Sequence, residues 1–111
     1  MIIELEELPK HSLNKIYAGM AWPIRKRNKD NYTRLIKEQC THVFPKGKEY
    51  SVSYDFFFKT RALDVSNCTY MLKMIEDVIF EDDSHKIVKC LNITSQKGDR
   101  DYVRIEIYEI K

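Results

Sequence analysis

From Glu49 to Thr60 the chain alternates. Tyr50, Val52, Tyr54, Phe56 and Phe58 take every second position, with Ser51, Ser53, Asp55 and Lys59 on the other side; Phe57 alone breaks the polar set. A period of two marks a strand with one buried face. Five large side chains on that face demand a second layer to cover them, which excludes an all-helical fold. Residues 101–110 repeat the pattern, Tyr102, Arg104, Glu106 and Tyr108 against Val103, Ile105 and Ile107. Residues 2–8 and 85–94 read as further strands, and QKGDR at 96–100 as a turn joining the last two in a hairpin.

Two helices supply the cover. One is predicted at about 30–42, capped by Asp30, with Tyr32, Leu35, Ile36 and Cys40 at helical spacing. The second is predicted at 66–78 with Met71, Met74, Ile75 and Val78 as its buried stripe and its charged end, Glu76 included, in solvent. Pro9 to Trp22 has no period and reads as a long irregular connection, a feature that is often functional. The expected fold is α+β: two layers, a mixed β-sheet covered by two helices in the order β–loop–α–β–α–β–β, one domain over residues 1–111.

Several functions are excluded or disfavoured by composition. At 43% hydrophobic and 32% charged, the chain is an ordinary folded domain. It has no run long enough to span a membrane and no signal-peptide start, so no membrane partner and a cytoplasmic location are expected. Cys40, Cys68 and Cys90 are odd in number and lack a C-x-x-C pair, which argues against disulfides and a zinc knuckle. Cys40 and His42 are two apart, a spacing that fits a Cys on the apolar face of a helix better than a metal site. Three glycines leave no phosphate-binding loop and no dinucleotide fingerprint.

Charge is arranged unevenly. The net charge is only +2, yet residues 24–29 (IRKRNK) hold four cations, with Tyr17, Trp22 and Tyr32 nearby as stacking surfaces. Cations interleaved with aromatics suit a nucleic-acid backbone, although a solvated loop would have the same composition. Residues 63–83 (LDVSNCTYMLKMIEDVIFEDD) gather six carboxylates. They fit either a helix with a capping Asp64 and a solvated acidic turn, or a site for Mg²⁺, which takes one or two carboxylates and keeps several waters. A helix of about 12 residues rises roughly 18 Å. Asp64 and Asp83 therefore meet within one chain only if residues 78–83 double back beside the helix; otherwise Asp83 comes from a partner subunit.

These segments resemble the RusA family of Holliday-junction endonucleases, particularly its phage and prophage members, along nearly the whole chain. The family pattern is D-x-D-N-x-x-K, a helix, then D-D and a strand. DVSN (64–67) and EDDSHKI (81–87) match it in order, SLNKIY (12–17) is similar to the family's N-terminal Asn/Tyr segment, and KGDRDYVRIEIYE (97–109) to its last turn and strand. The resemblance implies a homodimer in a bacterial host cell that resolves four-way junctions in DNA recombination and repair. It implies paired nicking with Mg²⁺, or Mn²⁺, held by aspartates.

By position, the resemblance makes Asp64, Asn67 and Asp83 catalytic, with Asp64, Asp83 and Asp82 around the metal; Asp77, one turn beyond Lys73 on the same helix, is a further metal candidate as a compensating acid. Ser66 stands where the family has its second aspartate, and Tyr70 where it has its lysine; Lys73, on the same side of the helix, takes the lysine's role. Arg25, Lys26, Arg27, Lys29, Lys59 and Arg61 would contact DNA phosphates. The alternatives are a catalytically reduced branched-DNA-binding protein, following from Ser66, and a small phage protein that uses the fold for protein association.

Overall fold

The structure is a computed structural model that describes residues 1–81 and 87–110. Strand β2 (Glu49–Phe58) is central, and its alternation is borne out: Tyr50, Val52, Tyr54, Phe56 and Phe58 are all buried. Strand β4 (Tyr102–Ile110) lies antiparallel on one flank of β2 and β3 (Val88–Lys97) parallel on the other, while β1 (Ile2–Glu6) pairs antiparallel with β4. The order β1-β4-β2-β3 is a mixed sheet, as expected. Val103, Ile105 and Ile107 of β4, with Ile3 and Leu5 of β1, extend the buried face. Helices α2 (Trp22–Gln39) and α3 (Thr69–Ile79) cover it through Tyr32, Ile36, Leu72, Ile75 and Ile79 in one continuous core.

The last two strands do not form the expected hairpin. β2 lies between them, because the crossover through α3 seats β3 in parallel along one side of β2 and leaves the other side to β4. The turn from β3 to β4 must therefore pass over the end of β2. Gly98 donates its N–H to the Phe58 carbonyl at 2.9 Å. A Cβ on Gly98 would lie 3.0 Å from the Phe57 Cβ, so the crossing needs glycine for close approach. Phe57, the residue that broke the polar set, stacks on its register partner Tyr102 with centroids 4.4 Å apart and planes 4° from parallel.

Both helices differ in detail from expectation. α2 starts at Trp22, with Pro23 in its first turn, where the fixed φ suits a helix and the missing N–H has no intrahelical partner to lose. Asp30 is thus no cap; it lies inside the helix and pairs with Lys26 at 3.1 Å. Only Tyr32 and Ile36 of α2 are buried, so its first half has no apolar stripe to reveal the period. The connection before it contains α1 (Leu13–Tyr17), capped by Ser12, whose hydroxyl accepts from the Lys15 N–H at 3.1 Å. Gly19, at φ +114°, makes the bend between α1 and α2.

A 3₁₀ turn (Val65–Cys68) leads into α3. The core stripe of α3 is Met71, Leu72, Ile75, Glu76 and Ile79, rotated from the expected one, and Met74 and Val78 are only half-buried. Glu76 is consequently not solvated but 7% exposed, near enough to Tyr54 to help push the phenol upward after burial. Among the described residues no helix is long and apolar enough to cross a membrane.

Ile75 is fully buried at the helix–sheet contact, and Leu91 lies 44% exposed on β3. Ile75→Ala should cost about 2–5 kcal/mol of stability in denaturant unfolding, and Leu91→Ala less than about 1 kcal/mol. Equal losses would contradict this assignment of the core.

Candidate nucleic-acid interface

Asp64 stands at the N-cap position of the 3₁₀ turn but does not cap it. Its carbonyl accepts the Asn67 N–H at 2.8 Å, while its carboxylate makes no capping bond. The carboxylate is exposed and has no hydrogen bond or ion pair among the described residues. An acid at a helix start that leaves the orphan N–H groups unserved is not explained by capping. Nearby, burial pushes the Cys68 thiol up, a hydrogen bond with Ser95 lowers it, and the Asp64 charge adds to the rise. Cys68 is therefore an inert part of the core.

The neighbouring Asn67 ties two distant segments together. Its Oδ1 accepts the backbone N–H of Asn14 at 3.1 Å, docking α1 on the turn that carries Asp64. Before α1 the chain is held by a ring cluster. His11, Tyr32 and Tyr70 meet edge to face with centroids 6.0–6.2 Å apart, and the Tyr32 hydroxyl donates to the Pro9 carbonyl. Tyr32 is fully buried, so it belongs to the core and offers no stacking surface to a ligand. Lys10 reaches across to the Arg61 carbonyl and lies over the Phe58 ring, 5.4 Å from its centroid.

Tyr70 also faces outward. With Met74 it forms one side of a surface groove of about 420 Å³; the other side is Trp22, Arg25, Lys26, Lys29 and Asp30 of α2. Those α2 positions are i, i+3, i+4, i+7 and i+8, one face of a helix. Trp22, Arg25, Lys26 and Lys29 were each visible as candidate contacts; the spacing that joins them becomes legible only once the helix is known to begin at Trp22. Tyr70 and Met74 were not anticipated as lining residues. Burial raises the Tyr70 phenol and the nearby Arg25 lowers it, so the groove is cationic where the ring borders it.

The remaining candidates are distributed around this region. Arg27 does not line the groove. Lys59 and Arg61 are exposed in the connection from β2 to the 3₁₀ turn, where the Lys59 N–H bonds Asp101 Oδ1 at 2.7 Å. Lys73 and Asp77 are exposed on α3. Ser66 is exposed, and its carbonyl accepts from the Thr69 hydroxyl at 2.7 Å.

Asp82 and Asp83 lie outside the described residues. The residues that bracket them are held at the far end of α3: the Glu81 N–H bonds the Phe44 carbonyl at 2.9 Å, and the Ile87 carbonyl accepts from Tyr50 at 2.7 Å. Leu63, beside Asp64, instead accepts from Ser95, seven residues along β3 from Val88 and so about 23 Å away. Among the described residues no three His, Cys, Asp or Glu side chains are grouped to hold a metal.

His11 gives a pH test. Burial, then Lys15, holds its imidazole below the ordinary 6.5, and its Nδ1 is buried without a hydrogen bond among the described residues. The unfolded chain takes up this proton more readily, so acid favours unfolding. The contribution is full above the ordinary imidazole range and is lost as pH falls through it. Tm should therefore drop between about pH 7 and about pH 5, and His11→Phe should flatten that drop; an unchanged profile would remove His11 as its cause.

No protein-family model matches the chain, and a search of curated proteins found no match.

Proposed function

We propose that the protein is a metal-dependent, structure-selective DNA endonuclease that acts as a homodimer and resolves four-way junctions by paired nicking. The observation that carries this reading is Asp64: an exposed carboxylate that caps nothing, at the start of the 3₁₀ turn leading into α3, six residues before a tyrosine that borders a cationic groove. Its sequence context, DVSN followed by a helix and an acidic pair, resembles the RusA pattern, with Ser66 in place of the second aspartate.

The donor chemistry fits Mg²⁺. A hard cation takes oxygen ligands and needs only one or two protein carboxylates, the rest being water and substrate phosphate. Bound there, it would supply Lewis-acid stabilisation of charge on the phosphodiester. Asp64 is the first carboxylate, with Ser66 and Asn67 adding neutral oxygens on the same turn. Lys73, exposed on the following helix, opposes charge developing on phosphate. Arg25, Lys26 and Lys29 hold the strand, with Arg27, Lys59 and Arg61 as outer phosphate contacts. Asp77 is a reserve acid on α3.

The second carboxylate acts across the dimer. Glu81 is anchored at the opposite end of α3 from Asp64, an 11-residue helix about 16 Å long. Two residues of chain reach at most about 7 Å. Asp83 and Asp82 lie outside the described residues; as part of this proposal, Asp83 serves the Asp64 of the other subunit.

Synthetic four-way junctions with Mg²⁺ or Mn²⁺ test the reading. The wild type should nick paired strands, and Asp64→Asn and Asp83→Asn should each lose about two orders of magnitude or more, as when one transition-state-stabilising group is removed. Mixing the two inactive variants should restore nicking, because the mixed dimer regains one intact Asp64–Asp83 pair. Binding without nicking with any divalent ion would instead favour the branched-DNA-binding protein.

A further inference from the structure

The groove between α2 and α3 has features that phosphate contact alone does not explain. Trp22 is 67% exposed at its rim, a large aromatic surface left open to solvent. The opposite side is apolar as well, formed by Tyr70 and Met74. Tyr70 is held in place by its edge-to-face contacts with His11 and Tyr32 rather than free to fold over the groove. A sugar-phosphate backbone has no use for two apolar walls; a nucleobase does.

The cations are set beside those walls. Arg25 and Lys29 follow Trp22 by one and two helical turns on the same face, and Asp30, the one groove carboxylate among the described residues, is already paired with Lys26. The first turn of α2 contains no acid to offset its macrodipole, so the helix start adds to the positive potential. At about 420 Å³ the space lies within the roughly 300–1,000 Å³ of small-molecule sites. That admits a nucleotide and not the side of a duplex, whose bases are stacked and turned inward.

From this geometry, and resting on the nucleic-acid reading above, we infer that the groove binds unpaired DNA: one base stacks on Trp22 over Tyr70 and Met74, and its flanking phosphates lie on Arg25 and Lys29. Such a track engages a strand whose base pairs have opened at a branch point and passes over intact duplex. Stacking on an aromatic tolerates any base, since every base has a π-face, so the contact selects structure and not sequence.

Trp22 is the chain's only tryptophan, so its emission reports the groove directly. The full chain is titrated with an oligothymidine single strand, and separately with a duplex of equal length, with divalent ions chelated. The expected result is strong quenching by the single strand and weak quenching by the duplex. By anisotropy of a labelled single strand, Trp22→Ala should weaken binding about fivefold to 150-fold, the range for removing one base-stacking aromatic, and Trp22→Phe should retain most of it. Emission unchanged at saturation, quenching no greater with single strand than duplex, or unchanged affinity in Trp22→Ala would each overturn the inference. Those results alongside normal junction nicking would overturn the stacking track alone. Strong quenching without nicking would support the track and count against the endonuclease.

Discussion

Everything in this fold depends on β2 being buried on one face and paired on both flanks. Its five inward side chains must be covered, and α2 and α3 cover them. Its parallel partner β3 can be reached only by a crossover, so α3 must run back from the end of β2 to its beginning. That single topological demand separates the two ends of the acidic stretch. Asp64 stays near Ser95 at the end of the strands, while Glu81 and Ile87 return to their start beside Phe44 and Tyr50.

The same demand builds the groove. With Leu72, Ile75 and Ile79 turned to the sheet, Tyr70 and Met74 face the first half of α2. That half buries nothing before Tyr32, so packing does not explain its side chains. Arg25 and Lys26 close behind an uncapped helix start do nothing to offset the dipole. A helix segment that buries little and sets cations against its own dipole is expected where function sets the sequence.

The strands were legible in the sequence because their code is local. Alternation in Tyr50–Phe58 and Val103–Ile107 appears in the burial residue by residue, and so does the α+β class with its two-helix cover. Pairing is not local. KGD between two alternating segments reads as a hairpin, and only the route of α3 shows that β2 intervenes and that Gly98 must cross it. The start of α2 was hidden because period detection relies on apolar stripes, and residues 22–30 have a charged one instead; Pro23 was the available signal. Glu76 was misread as solvated because its charge outweighed its position one residue after Ile75. At the candidate site, Asp64, Asn67 and the cations could be named from the sequence. The link from Asn67 to Asn14 and the part played by Tyr70 are tertiary facts with no local sign.

The central claim is that the α2 face beside Tyr70 holds a DNA backbone next to Asp64. The most direct measurement is affinity for a four-way junction across a range of salt concentrations, with divalent ions chelated, for the wild type and for Arg25→Ala/Lys29→Ala. Each phosphate contact contributes roughly 0.9 to the slope of log affinity against log salt. The account predicts that the double variant binds more weakly and that its slope is shallower by about 1.8. Equal slopes for the two proteins would contradict it.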